Sequence, residues 1–180
     1  NLQVDETRSL VVGSFSKDGI FYAYDRRDGS FVYARETAPQ NVIAGYDGET
    51  GAYAMNPDVV MTADLERVVS VCKENRLIPQ GAYSPLTNAY YAPVWSGCVD
   101  LRTRTLTPTL SDGYNMTTLR SYNNPESLTF GRPEAIEVTT GRTLWRQDRE
   151  TPLYGMLTTG GGLVFAADTN RRFYALDQWT

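Results

Sequence analysis

Residues 23–33 read "AYDRRDGSFVY", and the same frame returns as "GYDGETGAYAM" at 45–55 and "AIEVTTGRTLW" at 135–145. Each has a small residue, an acid two positions on, a Thr or Asp before a glycine, and a large side chain four residues after that glycine. A fourth copy, "ALDQWT" at 175–180, follows the frame as far as the chain runs. The pattern is turn chemistry. The acids Asp25, Asp47, Glu137 and Asp177 open the turn by accepting backbone N–H groups. Gly29, Gly51 and Gly141 take the positive-φ position that other residues avoid. The large residue then lands on the following strand, where Trp145 is expected to pack between layers. These carboxylates are therefore read as turn formers and not as catalytic groups.

Short β-rich runs flank the turns. "SLVVGSF", "IFYAYD", "SFVYARE", "NVIAGYD", "RVVSVC", "AYYAPVW", "AIEVTT", "YGMLTT", "LVFAAD" and "RFYALD" read as strands, joined by linkers such as "SKDG", "RRDG" and "TTGR". No window sustains a helical apolar period. Strands grouped in fours with a repeat of about 40–50 residues indicate an all-β fold of β-propeller blades, about four of them here. The incomplete last frame suggests an arc of a larger ring. Residues 103–133 are rich in Thr, Ser, Pro and Asn and alternate little, which predicts a long surface loop or insertion.

Composition narrows the chemistry. The chain has 180 residues, a net charge of −4 and no histidine. Without histidine there is no Ser-His-Asp or Cys-His nucleophile system, and the commonest transition-metal ligand is missing. Its basic residues occur in pairs and not in stripes, which argues against nucleic acid as a partner. No apolar run is long enough to span a membrane. Cys72 and Cys98 are too few for a zinc site. On the residues alone they fit either two buried thiols or one disulfide closing a loop of about 27 residues, a link that stabilises by about 3 kcal/mol.

Several unlike stretches, taken in order, carry a resemblance. They are "SKDGIFYAYDRRDGSFVYA", "GYDGETGAYAMNPDV", "GAYSPLTNAYYAPVWSGC" and "PLYGMLTTGGGLVFAADTNRRFYALDQWT". Together they resemble the later-middle blades of the eight-bladed pyrroloquinoline quinone (PQQ)-dependent alcohol dehydrogenases, whose docking motif has the form Ala-x-Asp/Glu-x-x-x-Gly-x-x-x-Trp. The match is collinear over most of the chain outside 103–133. It implies that residues 1–180 are a partial quinoprotein-type propeller. It further implies an enzyme that oxidises an alcohol to the aldehyde with PQQ beside a calcium or lanthanide ion, and passes electrons to a cytochrome.

The resemblance assigns few residues. Lys17 stands where the family has the Lys or Arg that contacts the quinone oxygens. The catalytic aspartate and the metal ligands are expected outside this segment, so the piece alone is expected to be inactive and to need the remaining blades or a partner chain. Before "GAYSP" many relatives have a polar residue and a Trp that help hold PQQ; here Leu77 and Ile78 stand there. Tyr154 matches an aromatic position that lines the pocket in some relatives, but its expected role here is core packing. A family disulfide in this region implies a Cys72–Cys98 pair and a periplasmic location. The departure at Leu77 and Ile78 keeps a second reading open, a non-catalytic propeller scaffold or binding domain of related repeat type.

Overall fold

The computed structural model describes residues 2–3, 9–12, 17–61, 67–74, 80–103, 116–127 and 129–180. Among these the regular elements are strands, except for one 3-10 turn at Pro57–Val59. The first sheet runs in chain order through β1 (Leu2–Gln3), β2 (Ser9–Val12), β3 (Ile20–Asp25) and β4 (Phe31–Glu36), each antiparallel to the next. A two-stranded hairpin follows, β5 (Ile43–Tyr46) and β6 (Tyr53–Met55). Next come β7 (Val68–Glu74), β8 (Ala82–Ser84), the 15-residue β9 (Ala89–Thr103), β10 (Met116–Asn123), β11 (Gly131–Glu137) and β12 (Thr143–Arg146). A three-stranded sheet of β13 (Leu153–Thr158), β14 (Leu163–Asp168) and β15 (Phe173–Asp177) ends the chain.

Strand β9 serves two sheets because it is twice the usual length. Its first half lies between β8 and β11, with β12 outside β11. Its second half lies between β7 and β10. The stretch 103–133, expected to be a loop, therefore carries a strand. β10 adds to the edge that the long β9 offers, starting from the pair Met116–Thr103. Residues 104–115 lie outside the described ones.

Three sheets stack as blades: blade I (β1–β4), blade II (β8, the first half of β9, β11 and β12) and blade III (β13–β15). Strand alternation explains how blade II is covered on both sides. On β9, Tyr90, Ala92 and Val94 face blade I and pack with Phe21 and Ile136. Ala89 and Tyr91, with Ala135 of β11, face blade III and pack with Leu153, Met156, Val164 and Ala166. The side chains at both joints interdigitate in largely apolar layers, which is the stable way to bury a sheet face.

The repeated turns carry one hydrogen-bond pattern. Gly29, Gly51 and Gly141 each donate N–H to the carbonyl of their own acid, at 2.7, 2.9 and 2.8 Å. The acids accept within the turn, as in Arg27 N–H to Asp25 at 2.9 Å and Thr50 N–H to Asp47 at 2.7 Å. The large residue then ties its blade to the next. Tyr33 donates its hydroxyl to the Val138 carbonyl at 2.8 Å, and Trp145 donates its indole N–H to the Gln178 carbonyl at 2.9 Å. Val138 and Gln178 each follow the acid of their own frame. Gly141, at φ 74°, has no Cβ where one would lie 2.8 Å from the Tyr33 ring.

Candidate functional site

The two ends of the blades differ. Turns of the repeated frame, together with 85–88 and 159–162, lie at one end. At the other lie the 17–19 turn, the segments 37–42 and 80–81, the second half of β9 with β10, and the loops 147–152 and 169–172. Long connections that leave a rigid scaffold at one end are where binding groups gather. Lys17 is at that end, exposed, in the turn that enters β3.

Lys17 borders a cleft of about 450 Å³, within the size range of small-molecule sites. Tyr22 and Tyr24 of β3 form one wall, and Tyr53 and Met55 of β6 another; Lys73 adds a second cationic side chain. Tyr22 and Tyr24 share a face of β3 and pack with Ile43 and Phe31, opposite the face that meets blade II. Burial raises the Tyr22 hydroxyl well above its ordinary pKa, and the neighbouring Asp18 carboxylate raises it further. Tyr22 is thus a neutral donor across the physiological range. The hairpin is held by Asn56, which donates its side-chain N–H to the Asn41 carbonyl at 2.8 Å.

Cys72 and Cys98 are bonded as a disulfide and face each other in the β7–β9 register, with Cα atoms 4.0 Å apart. The other edge of β7 is held by Asn41. Its side-chain N–H donates to the Ser70 carbonyl at 2.9 Å and its N–H to the Cys72 carbonyl at 3.0 Å, while its side-chain oxygen accepts the Cys72 N–H at 2.8 Å. Residue 73, one step along the strand, is thereby fixed at the rim of the cleft.

Two other expectations concern the inner strands. Tyr154 is not core: it is 64% exposed. The register of β13 shifts between Leu153 and Gly155, so that Leu153 and Met156 point to blade II and Tyr154 points away. The Met156 N–H bonds to the Gln80 carbonyl at 2.9 Å, which brings the segment ahead of β8 beside β13. Leu77 and Ile78 lie outside the described residues. Among the described residues no group of three or more Cys, Asp or Glu side chains could hold a metal ion, and no helix is long and apolar enough to cross a membrane.

A blade stack with these connections matches known proteins. The chain is 28% identical over 171 residues to the 1-butanol dehydrogenase (cytochrome c) of Thauera butanivorans, covering 89% of this chain and 25% of that protein. It is 27% identical over 191 residues to the dehydrogenase subunit of alcohol dehydrogenase (quinone) from Acetobacter aceti, covering 96% and 25%. Its sequence is similar to those of quinoprotein alcohol dehydrogenases. It spans about a quarter of the length of these curated relatives. The fold agrees: quinohemoprotein alcohol dehydrogenase from Comamonas testosteroni superposes with a TM-score of 0.74 at 22% identity, over 96% of this chain and 27% of that one. A europium-containing methanol dehydrogenase superposes with a TM-score of 0.72 at 18% identity, over 96% and 35%. No protein-family profile matches the chain. The propeller-type, antiparallel all-β architecture expected from the repeated frame is thus the architecture of this chain.

Sequence reasoning missed the buried charges that brace the joint behind Lys17. Glu134 is fully buried on β11 and accepts from Arg35 of β4, from Arg132 Nε at 3.1 Å and from Thr143 Oγ1 at 2.6 Å. Burial alone would raise its carboxyl. The Arg35 guanidinium, the Thr143 hydroxyl and Arg132 outweigh burial and hold it below its ordinary value. The alternation of "RPEAIE" could have put Arg132, Glu134 and Ile136 on one face, but nothing local names Arg35 as their partner.

Proposed function

We propose that this chain supplies part of the cofactor-bearing propeller of a PQQ-dependent alcohol dehydrogenase, which oxidises an alcohol to the aldehyde and passes electrons to a cytochrome. Residues 1–180 are then a partial propeller, with 103–133 an insertion in blade II. The observation that carries the reading is the exposed Lys17, set in a turn at the connection end of the blades beside a cleft. The relatives' names supply the alcohol, the quinone and the cytochrome.

The residues present fit such a cofactor. PQQ, when bound, would supply the two-electron acceptor for alcohol oxidation. Lys17 carries only hydrogen-bond donors and a fixed positive charge, which suits oxygens that gain negative charge as oxidation proceeds. In a site shielded from water that charge stabilises the transition state more than it would in bulk solvent. Ligands for the calcium or lanthanide ion, and the catalytic base, belong to chain outside this segment on this reading. The disulfide suits an oxidising compartment, and we place the protein in the periplasm.

The test uses the whole protein. Lys17→Ala should lower turnover, followed by cytochrome reduction, by about tenfold or more, while Lys17→Arg retains most of it. Unchanged turnover in Lys17→Ala would overturn the role of Lys17. Whole protein that takes up no PQQ would instead support the scaffold reading.

A further inference from the structure

Lys17 reaches out from a short turn on a long, flexible side chain, so the place of its ammonium depends on what holds the turn. Two sets of contacts hold it. On one side Asp18 accepts the Ile20 N–H at 2.9 Å with Oδ1, and the Tyr22 hydroxyl at 3.1 Å with Oδ2. Both carboxylate oxygens are thus committed to β3, and among the described residues Asp18 makes no ion pair with Lys17. On the other side the Gly19 carbonyl accepts twice from Thr37, from its N–H at 2.8 Å and its hydroxyl at 2.8 Å. Thr37 is 3% exposed. Its own carbonyl accepts from Arg132, which is held by Glu134. The turn is therefore tied on one side to its own strand and on the other to the buried charges between blades I and II.

We propose that Tyr22 and Thr37 are positioning residues for Lys17, clamping the 17–19 turn between β3 and the Arg132–Glu134 pair. The proposal rests on the reading of Lys17 as the cation that faces the quinone. The clamp acts through geometry. A displacement of about 1 Å in a group that must meet a reacting atom can cost up to a hundredfold in rate, and groups around a site are held by the contacts behind them. Tyr22 keeps its proton because burial and Asp18 both disfavour the phenolate, so its donor role does not switch off near neutral pH.

The experiment uses the whole protein, with Tyr22→Phe, Thr37→Val and Thr37→Ser each made alone and in a Lys17→Ala background. Turnover, KM for the alcohol and the affinity of the apoprotein for PQQ are measured for each. Tyr22→Phe and Thr37→Val should each lower kcat and weaken PQQ binding by about three- to tenfold, with KM for the alcohol within about twofold. Thr37→Ser restores the hydroxyl and should recover both. In the Lys17→Ala background neither substitution should cause a further loss, because residues that act through one group do not add. Losses that persist undiminished without Lys17 would overturn the clamp. So would unchanged kcat and affinity in both variants where Lys17→Ala itself is impaired. If Lys17→Ala alters neither turnover nor PQQ affinity, the reading of Lys17 fails first and the clamp falls with it.

Discussion

Within their apolar layers, the joint between blades I and II carries buried charge, whereas the joint between blades II and III carries a neutral amide. At the first joint Glu134 sits between Arg35 and Arg132, with Thr143 completing its bonds. At the second, Gln178 is fully buried. Its side chain accepts from Ser84 and donates to the Thr159 carbonyl at 2.9 Å and the Leu163 carbonyl at 3.1 Å. Its main-chain carbonyl receives Tyr91 at 2.8 Å and Trp145 at 2.9 Å. Both joints also carry an aromatic donor onto the turn of the next blade, Tyr33 at one and Trp145 at the other. The same repeat thus tolerates different polar chemistry, because the Glu134 carboxylate and the Gln178 amide each find partners, although Arg35 Nη1 at the charged joint is buried without one. The charged joint is the one next to Lys17, through Thr37.

The contrast is open to direct attack. Glu134→Ala should have the largest effect, destabilising by about 3–5 kcal/mol in chemical denaturation, because it leaves two arginines facing each other without their shared carboxylate. Gln178→Ala should cost about 2–3 kcal/mol, since it empties a fully buried site and takes the acceptor from the Ser84 hydroxyl, while the Thr159 and Leu163 carbonyls keep backbone N–H donors and no buried charge is left. An equal loss from the two would remove the distinction between the joints.

Acid should separate the joints as well. The Glu134 carboxyl has its folded pKa below the ordinary 4.5. Its contribution is therefore complete above the unfolded value and is lost as pH falls through the folded one. Glu134→Gln should be less stable at neutral pH and show a shallower loss of stability below that value than the parent, whereas Gln178→Ala should keep the parent's slope. Parallel acid curves for parent and Glu134→Gln would count against an ionised Glu134. The smallest effect is expected for Trp145→Phe, which keeps a ring at the joint but drops the bond to the Gln178 carbonyl, at about 1–2 kcal/mol.

Much of the fold was legible because turn chemistry is short-range. The frame at 23–33 and its copies placed the hairpins, and their glycines have the expected positive φ. The strand that escaped notice, β10, falls in the stretch read as a loop; it is polar and exists because β9 offers it an edge. Tyr154 was misread for a related reason, since a register shift within β13 reversed the face that simple alternation would assign. The role proposed for Lys17 came only from the resemblance. The groups that hold its turn were not legible at all, because Thr37 and Arg132 meet across 95 positions of chain.

By itself, the sequence determined the turns, the all-β character and the absence of histidine chemistry, since each depends on residue type and on neighbours a few positions away. Only the tertiary structure decided which charges are buried together, which aromatic donor reaches which carbonyl, and what braces Lys17. Those outcomes depend on desolvation and on contacts between distant segments, such as Arg35 with Glu134 across 99 residues, and no local pattern encodes a partner at that distance.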